Sequence, residues 1–149
     1  MKMQHSLFAL AVATLVAGAA VAAEPEDIIK YRKNVMKATA GHMGATAAIV
    51  TGKVDYKGDL ADHAKAIQAL TKDTAALFPK DSDFGDTEAL DAVWKKNAEF
   101  KKHAQQVKAK ADAFVKVVAT NDKAKIANGF KELNDSCKSC HKEFRKEQK

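Results

Sequence analysis

The chain has 149 residues, with 25 Lys and Arg against 19 Asp and Glu, a net charge of +6 with histidine neutral, and 46% hydrophobic residues. That length suits one domain with a single core, and a modest positive charge with acids interspersed among the lysines points to a solvated surface, with no nucleic acid as partner. Two cysteines would suggest a disulfide in an exported chain, were it not for their spacing.

Residues 1–23 read as a cleaved signal peptide, with Lys2 at the charged start, an apolar run from Leu7 to Val16 and small residues before a cut after Ala22 or Ala23. The run is too short and too weakly apolar for an anchor, and Glu24 to Asp27 supply no positive stop-transfer cluster. The mature protein, residues 24–149, is therefore expected in the periplasm with no membrane span. Loss of Lys2 lowers the net charge to about +5.

The mature part shows four segments of helical periodicity and no sustained alternation, so the expected class is all-α. The first segment, about Glu26 to Thr51, sets Ile29, Met36, Met43 and Val50 seven apart, with Pro25, Glu26 and Asp27 suited to a helix start. Gly52 and Gly58 lie in a polar connection. The second segment, about Asp59 to Phe78, spaces Leu60, Ala64, Ile67, Leu70, Thr74 and Leu77 by threes and fours until Pro79 stops it. Lys80 to Thr87 is a loop without the ligand spacing of a calcium loop.

A third segment, about Glu88 to Ala119, repeats Val93, Asn97, Phe100, Ala104, Val107, Ala111, Phe114 and Val118, with Asn97 its one polar interruption. Asn121 or Asp122 can cap the fourth, whose stripe is Ile126, Phe130, Leu133, Cys137, Cys140 and Phe144. Four amphipathic helices on short loops predict an antiparallel up-down-up-down four-helix bundle.

The chemistry is concentrated in Cys137-Lys138-Ser139-Cys140-His141. Covalent attachment of haem c needs two thiols that each add to one of two neighbouring vinyl groups, and an imidazole reaching the iron from the same side. Spacing i, i+3, i+4 on one helical turn provides all three. A zinc site would need two further ligands and a thioredoxin-like dithiol a preceding strand, neither of which the sequence offers. The expectation is one haem c per chain, thioether-linked to Cys137 and Cys140, with His141 on the iron.

The motif lies on the fourth helix, and there the chain resembles the class II cytochromes c, the family of cytochrome c′ and its low-spin relatives. The resemblance covers residues 25–149. It rests on Cys137 to Arg145, with an aromatic residue three after the His and a basic one four after it, on Tyr31-Arg32 followed by Met36, and on Trp94. It implies a left-twisted bundle with the haem held between helices and often a homodimer formed through the first two helices.

Function turns on the second axial position of the iron. With the first and fourth helices antiparallel, Met36, about 15 Å along the first helix, matches the level of His141 better than Met43 at about 25 Å. The resemblance makes that position either a thioether ligand or a bulky cover over an open site, and identity alone leaves both readings standing. Met43 and His42 are lesser candidates, better read as core or boundary residues, while His63 and His103 are expected to be solvated. Arg32, one turn before Met36, either pairs with a haem propionate or snorkels to water. Arg145, one turn after His141, carries the same alternatives. The expected function is a periplasmic electron carrier serving redox partner proteins, with iron bound by His141 and Met36. The alternative is a five-coordinate haem protein binding nitric oxide or carbon monoxide. No acid/base pair stands out beside the motif, so an enzyme is not expected.

Overall fold

The computed structural model describes residues 23–147, so the expected signal peptide lies outside the described residues except for Ala23. Helix α1 spans Pro25–Val50. Its proline sits at the first position, where no intrahelical N–H is lost, and Glu26 and Asp27 face the positive end of the helix dipole. It ends in a Schellman turn. The Lys53 amide reaches back to Ala48 O at 2.9 Å, the Gly52 amide to Ile49 O at 3.0 Å, and Gly52 takes the left-handed conformation at φ +71°.

Helix α2 covers only Leu60–Thr71 and gives way to a 3-10 turn at Thr74–Leu77, so the long second helix expected from Asp59 to Phe78 is broken. At the break Thr71 donates its hydroxyl to Ile67 O and Thr74 to Thr71 O, at 2.8 and 3.2 Å.

The expected third segment also divides, into a short α3 at Ala92–Lys95 and a long α4 at Asn97–Val118, with Lys96 at φ −113°, ψ 44° between them. Residues 88–90 stay out of helix because their backbone is occupied elsewhere, while Asp91, at φ −51°, ψ −26°, already opens the turn into α3. Ala89 forms an antiparallel bridge with Arg145, the Leu90 amide donates to Phe144 O at 2.9 Å, and the Lys146 amide donates to Glu88 O at 2.8 Å. Helix α5, Lys123–Phe144, is capped by Asp122, whose carboxylate accepts from the amides of Ala124 and Lys125 at 3.0 and 3.1 Å.

The long helices α1, α2, α4 and α5 close into a four-helix ring. Packing is most extensive between α4 and α5, and α2 lies against both α1 and α4, whereas the α1–α5 seam is the thinnest of the four. The core is in two parts. The larger cluster holds Ile49, Leu60, Ala64, Ile67, Ala111, Phe114, Val118, Ile126 and Leu133. A smaller one at the other end holds Val93, Phe100, Cys140 and Phe144, with Phe78 and Trp94 against it. Among the described residues no helix is long and apolar enough to cross a membrane.

Candidate functional site

The smaller cluster is where α5, α3, the start of α4 and the 80–91 loop converge. Phe144 meets Phe100 edge-on at 5.3 Å between ring centroids, Phe100 meets Phe78 at 4.9 Å, and Phe78 meets Trp94 at 6.2 Å. Cys140 is buried within this group, while Cys137, one turn earlier on α5, leans against the larger cluster. The two thiols therefore stand at the junction between the two parts of the core, and both are free. Burial pushes the Cys137 thiol up and the Cys140 thiol up to about 11. As they stand in the folded chain both are poor nucleophiles.

His141 is half-buried on the same turn. Burial lowers its pKa, the neighbouring Arg145 lowers it further, and Glu88 opposes them. The imidazole is thus held neutral, the form that ligates a metal.

Arg32 is 3% exposed, so it does not snorkel. One terminal nitrogen donates to Ser82 Oγ at 3.0 Å and Leu77 O at 3.3 Å, the other to Ser82 O at 2.9 Å and Thr87 Oγ1 at 2.8 Å. The guanidinium also lies 4.5 Å above the Phe78 ring and 5.8 Å from that of Trp94. Its forked donors are spent on holding the 77–87 stretch to α1. Arg145 is half-buried, with its backbone in the bridge to Ala89.

These contacts also set the register of α1 against α5. Arg32 and Phe144 both join the aromatic cluster, through Phe78 and Phe100; Met36 follows Arg32 by one turn on α1, and Cys140 and His141 precede Phe144 by one turn on α5. Met36 is partly buried but belongs to neither core cluster, whereas Met43 packs against the larger one. His42 and His63, expected at a boundary and in water, instead face each other with Nδ1···Nδ1 at 2.9 Å. His103 also departs from expectation, since its side chain is only 17% exposed. Its Nε2 lies 3.5 Å from Glu143 Oε1, its ring stands edge-on to Phe144, and its buried Nδ1 has no partner.

The donor set suits a covalently held haem c. Two free thiols and a neutral imidazole share one turn of α5, beside the thinnest seam of the bundle and between two separate parts of the core, with an orphaned buried nitrogen nearby. The two-thiol-plus-His turn was visible in the sequence. The service Arg32 gives to Ser82 and Thr87 was not, because those partners lie 50 and 55 residues away.

Comparison with known proteins agrees. A family model described as Cytochrome C′ matches residues 27–145. The cytochrome c′ of Pararhodospirillum photometricum is 36% identical over 124 residues, 83% of this chain and 99% of that protein. Among solved structures, cytochrome c prime from Shewanella frigidimarina superposes with a TM-score of 0.79 at 30% identity, covering 83% of this chain and 98% of the other. The nitric oxide complex of a variant of cytochrome c prime from Alcaligenes xylosoxidans gives 0.78 at 26%, covering 85% and 98%.

Proposed function

Because the chain belongs to the cytochrome c′ family of haem proteins, we propose that it is a non-enzymatic, periplasmic protein that binds a small diatomic ligand such as nitric oxide or carbon monoxide. One haem c per chain would be held through thioether bonds from Cys137 and Cys140, with His141 as the axial ligand. Each thiol adds across a vinyl group, forming an S–C bond while its hydrogen passes to the adjoining carbon, so attachment needs no oxidant. The bound haem supplies an iron at which a diatomic molecule can coordinate. His141 contributes a neutral imidazole on one side. Met36 would serve as the lid over a bound diatomic ligand.

The observation that carries this reading is the position of Met36. It is partly buried one turn after Arg32 and is not consumed by either core cluster, while Met43 and His42 both have other partners. The nitric oxide complex of the similar Alcaligenes protein supports it. A second reading, electron transfer with Met36 as the sixth ligand, is favoured by the lysines at 30, 33 and 37 on one face of α1. They line a groove with Glu26, Phe84 and Asp86, where Lys33 is paired with Asp86 and the three lysines outnumber the two acids.

The test is the absorption spectrum of the haem-loaded protein and of Met36→Ala. A lid predicts a high-spin spectrum in both, with faster carbon monoxide binding in the variant. A ligand predicts a low-spin parent, and conversion to high spin in Met36→Ala would refute the open-site reading in favour of the carrier.

A further inference from the structure

We propose that the imidazoles of His42 and His63 form an acid-released latch between α1 and α2, fastening one end of the segment that carries Met36. The latch does not depend on the haem reading. The two rings belong to different helices, both are half-buried, and they meet head-on with Nδ1 atoms 2.9 Å apart, ring centroids 5.2 Å apart and planes inclined at 59°. A hydrogen bond between two ring nitrogens needs one N–H and one lone pair, so at least one of the rings must be neutral. Among the described residues this is the only side-chain hydrogen bond from α1 to α2. Its position matters because Arg32 ties α1 to the 77–87 stretch, while Met43, Ile49 and Val50 join it to the larger cluster. Residues 34–41 lie between these anchors, on the helix whose seam with α5 is the thinnest in the ring.

No fixed charge is paired with either ring. Along α1 no other charged residue stands between Lys37 and Lys53, and on the α2 side Asp59, Asp62 and Lys65 are exposed. From α4 come Lys116 and the Lys108–Asp112 pair, and from α5 the Lys131–Asp135 pair and Glu132, which is bound to Lys110. None of these reaches His42 or His63. The closed pair accommodates one added proton and refuses a second. With both rings protonated, two Nδ1–H groups and two like charges face each other with no lone pair between them. The rings then part and turn to water, so in acid the open form holds one proton more than the closed one. Closure is therefore favoured at neutral pH and is lost as the pH falls through the range in which free imidazole takes up its proton, about 6.5. One excluded proton shifts the open-to-closed ratio by at most about tenfold per pH unit.

The experiment is amide hydrogen exchange of the haem-loaded full chain, read by mass spectrometry over residues 34–46 at about pH 7.5 and about pH 5.0, on either side of the imidazole range, with intrinsic rates corrected for pH. Protection of that segment should fall about fivefold or more in acid, while that around Leu133 changes by less than about twofold. His42→Leu and His63→Leu remove the bond without adding a charge, so each should lower protection of residues 34–46 already at neutral pH and leave little further response to acid. His103→Gln, which alters the separate His103–Glu143 contact, should keep the response of the unsubstituted protein. A response absent from the unsubstituted protein, or one that survives both leucine substitutions, would overturn the latch. Nitrogen-15 spectra of the histidine-labelled, unsubstituted protein decide the matter even if a variant fails to fold. At neutral pH one of the two rings should carry its proton on Nδ1 and the other should leave Nδ1 bare, and in acid both Nδ1 atoms should be protonated. Two rings that both hold their proton on Nε2 at neutral pH would overturn the proposal.

Discussion

Replacing Arg32 by Met keeps the apolar volume of the side chain and removes its charge and all its donors. Four charge-assisted bonds at about 1.5–3 kcal/mol each would overstate the loss, because two of the acceptors keep other partners. Ser82 Oγ still donates to Pro79 O at 2.9 Å, and Thr87 Oγ1 still accepts from the Ala89 amide at 3.1 Å. The carbonyls of Leu77 and Ser82 lose their donor, at about 1–3 kcal/mol apiece, and the contact with Phe78 and Trp94 contributes about 0.5–2 kcal/mol more. A loss of about 3–5 kcal/mol is expected, a large share of the total stability of a domain this size. Urea unfolding of the haem-loaded protein, followed by circular dichroism and by Trp94 fluorescence, measures it. Arg32→Lys should recover less than half, since one ammonium cannot fork to both Ser82 O and Thr87 Oγ1. Ser82→Ala should couple to Arg32→Met in a double-mutant cycle. A loss below about 1 kcal/mol, or additivity between the two positions, would refute the account of Arg32 as the strap on the 77–87 stretch.

Met43→Ala should leave the haem spectrum unchanged and cost about 2 to 4 kcal/mol through the cavity it opens against the larger cluster; a changed spin state would shift the register of α1 by two turns. Gly129→Ala should destabilise, because the new Cβ would come within 2.7 Å of Val117 Cγ2 at the α4–α5 contact. The stiff valine cannot swing away, so a clash of about 1–3 kcal/mol outweighs a helix-propensity gain of about 1 kcal/mol, and Val117→Ala should relieve it in thermal melts. The Lys125 amide, with help from the Lys125 side chain and the Ala124 amide, holds Asp122 below its ordinary value of 3.8. Its contribution is therefore complete above that value and is lost as the pH falls through the lower folded one, so Asp122→Ala should show a shallower acid limb in a stability–pH curve.

The four periodic segments located all the long helices, and the Cys137-to-His141 turn marked the candidate site, because both signals are local in sequence. What the periodicity missed depends on distant partners. Glu88 to Leu90 read as helix, yet their backbone is claimed by residues 144–146 after a separation of more than fifty positions. The apolar spacing also runs on through Thr74 although α2 stops at Thr71. Arg32 was singled out correctly as unusual beside an apolar stripe, but nothing near it in sequence announced Ser82 and Thr87 as its partners. The contact between His42 and His63 escaped for the same reason, since it joins positions 21 apart, one read as a boundary residue and the other as solvated.

The division of the core also bears on when the cysteines can react. The smaller cluster buries few residues and is fastened largely by polar bonds to the 77–91 stretch, so it is the part of the molecule that opens first. Amide hydrogen exchange in the last turns of α5 should accordingly outpace exchange around Leu133, which has no solvent exposure. In such an open form the sulfurs of Cys137 and Cys140 regain water and lose the burial that makes them sluggish, while the α2–α4 half of the bundle stays assembled. The weak end of the fold is then the end at which the proposed attachment to Cys137 and Cys140 would take place.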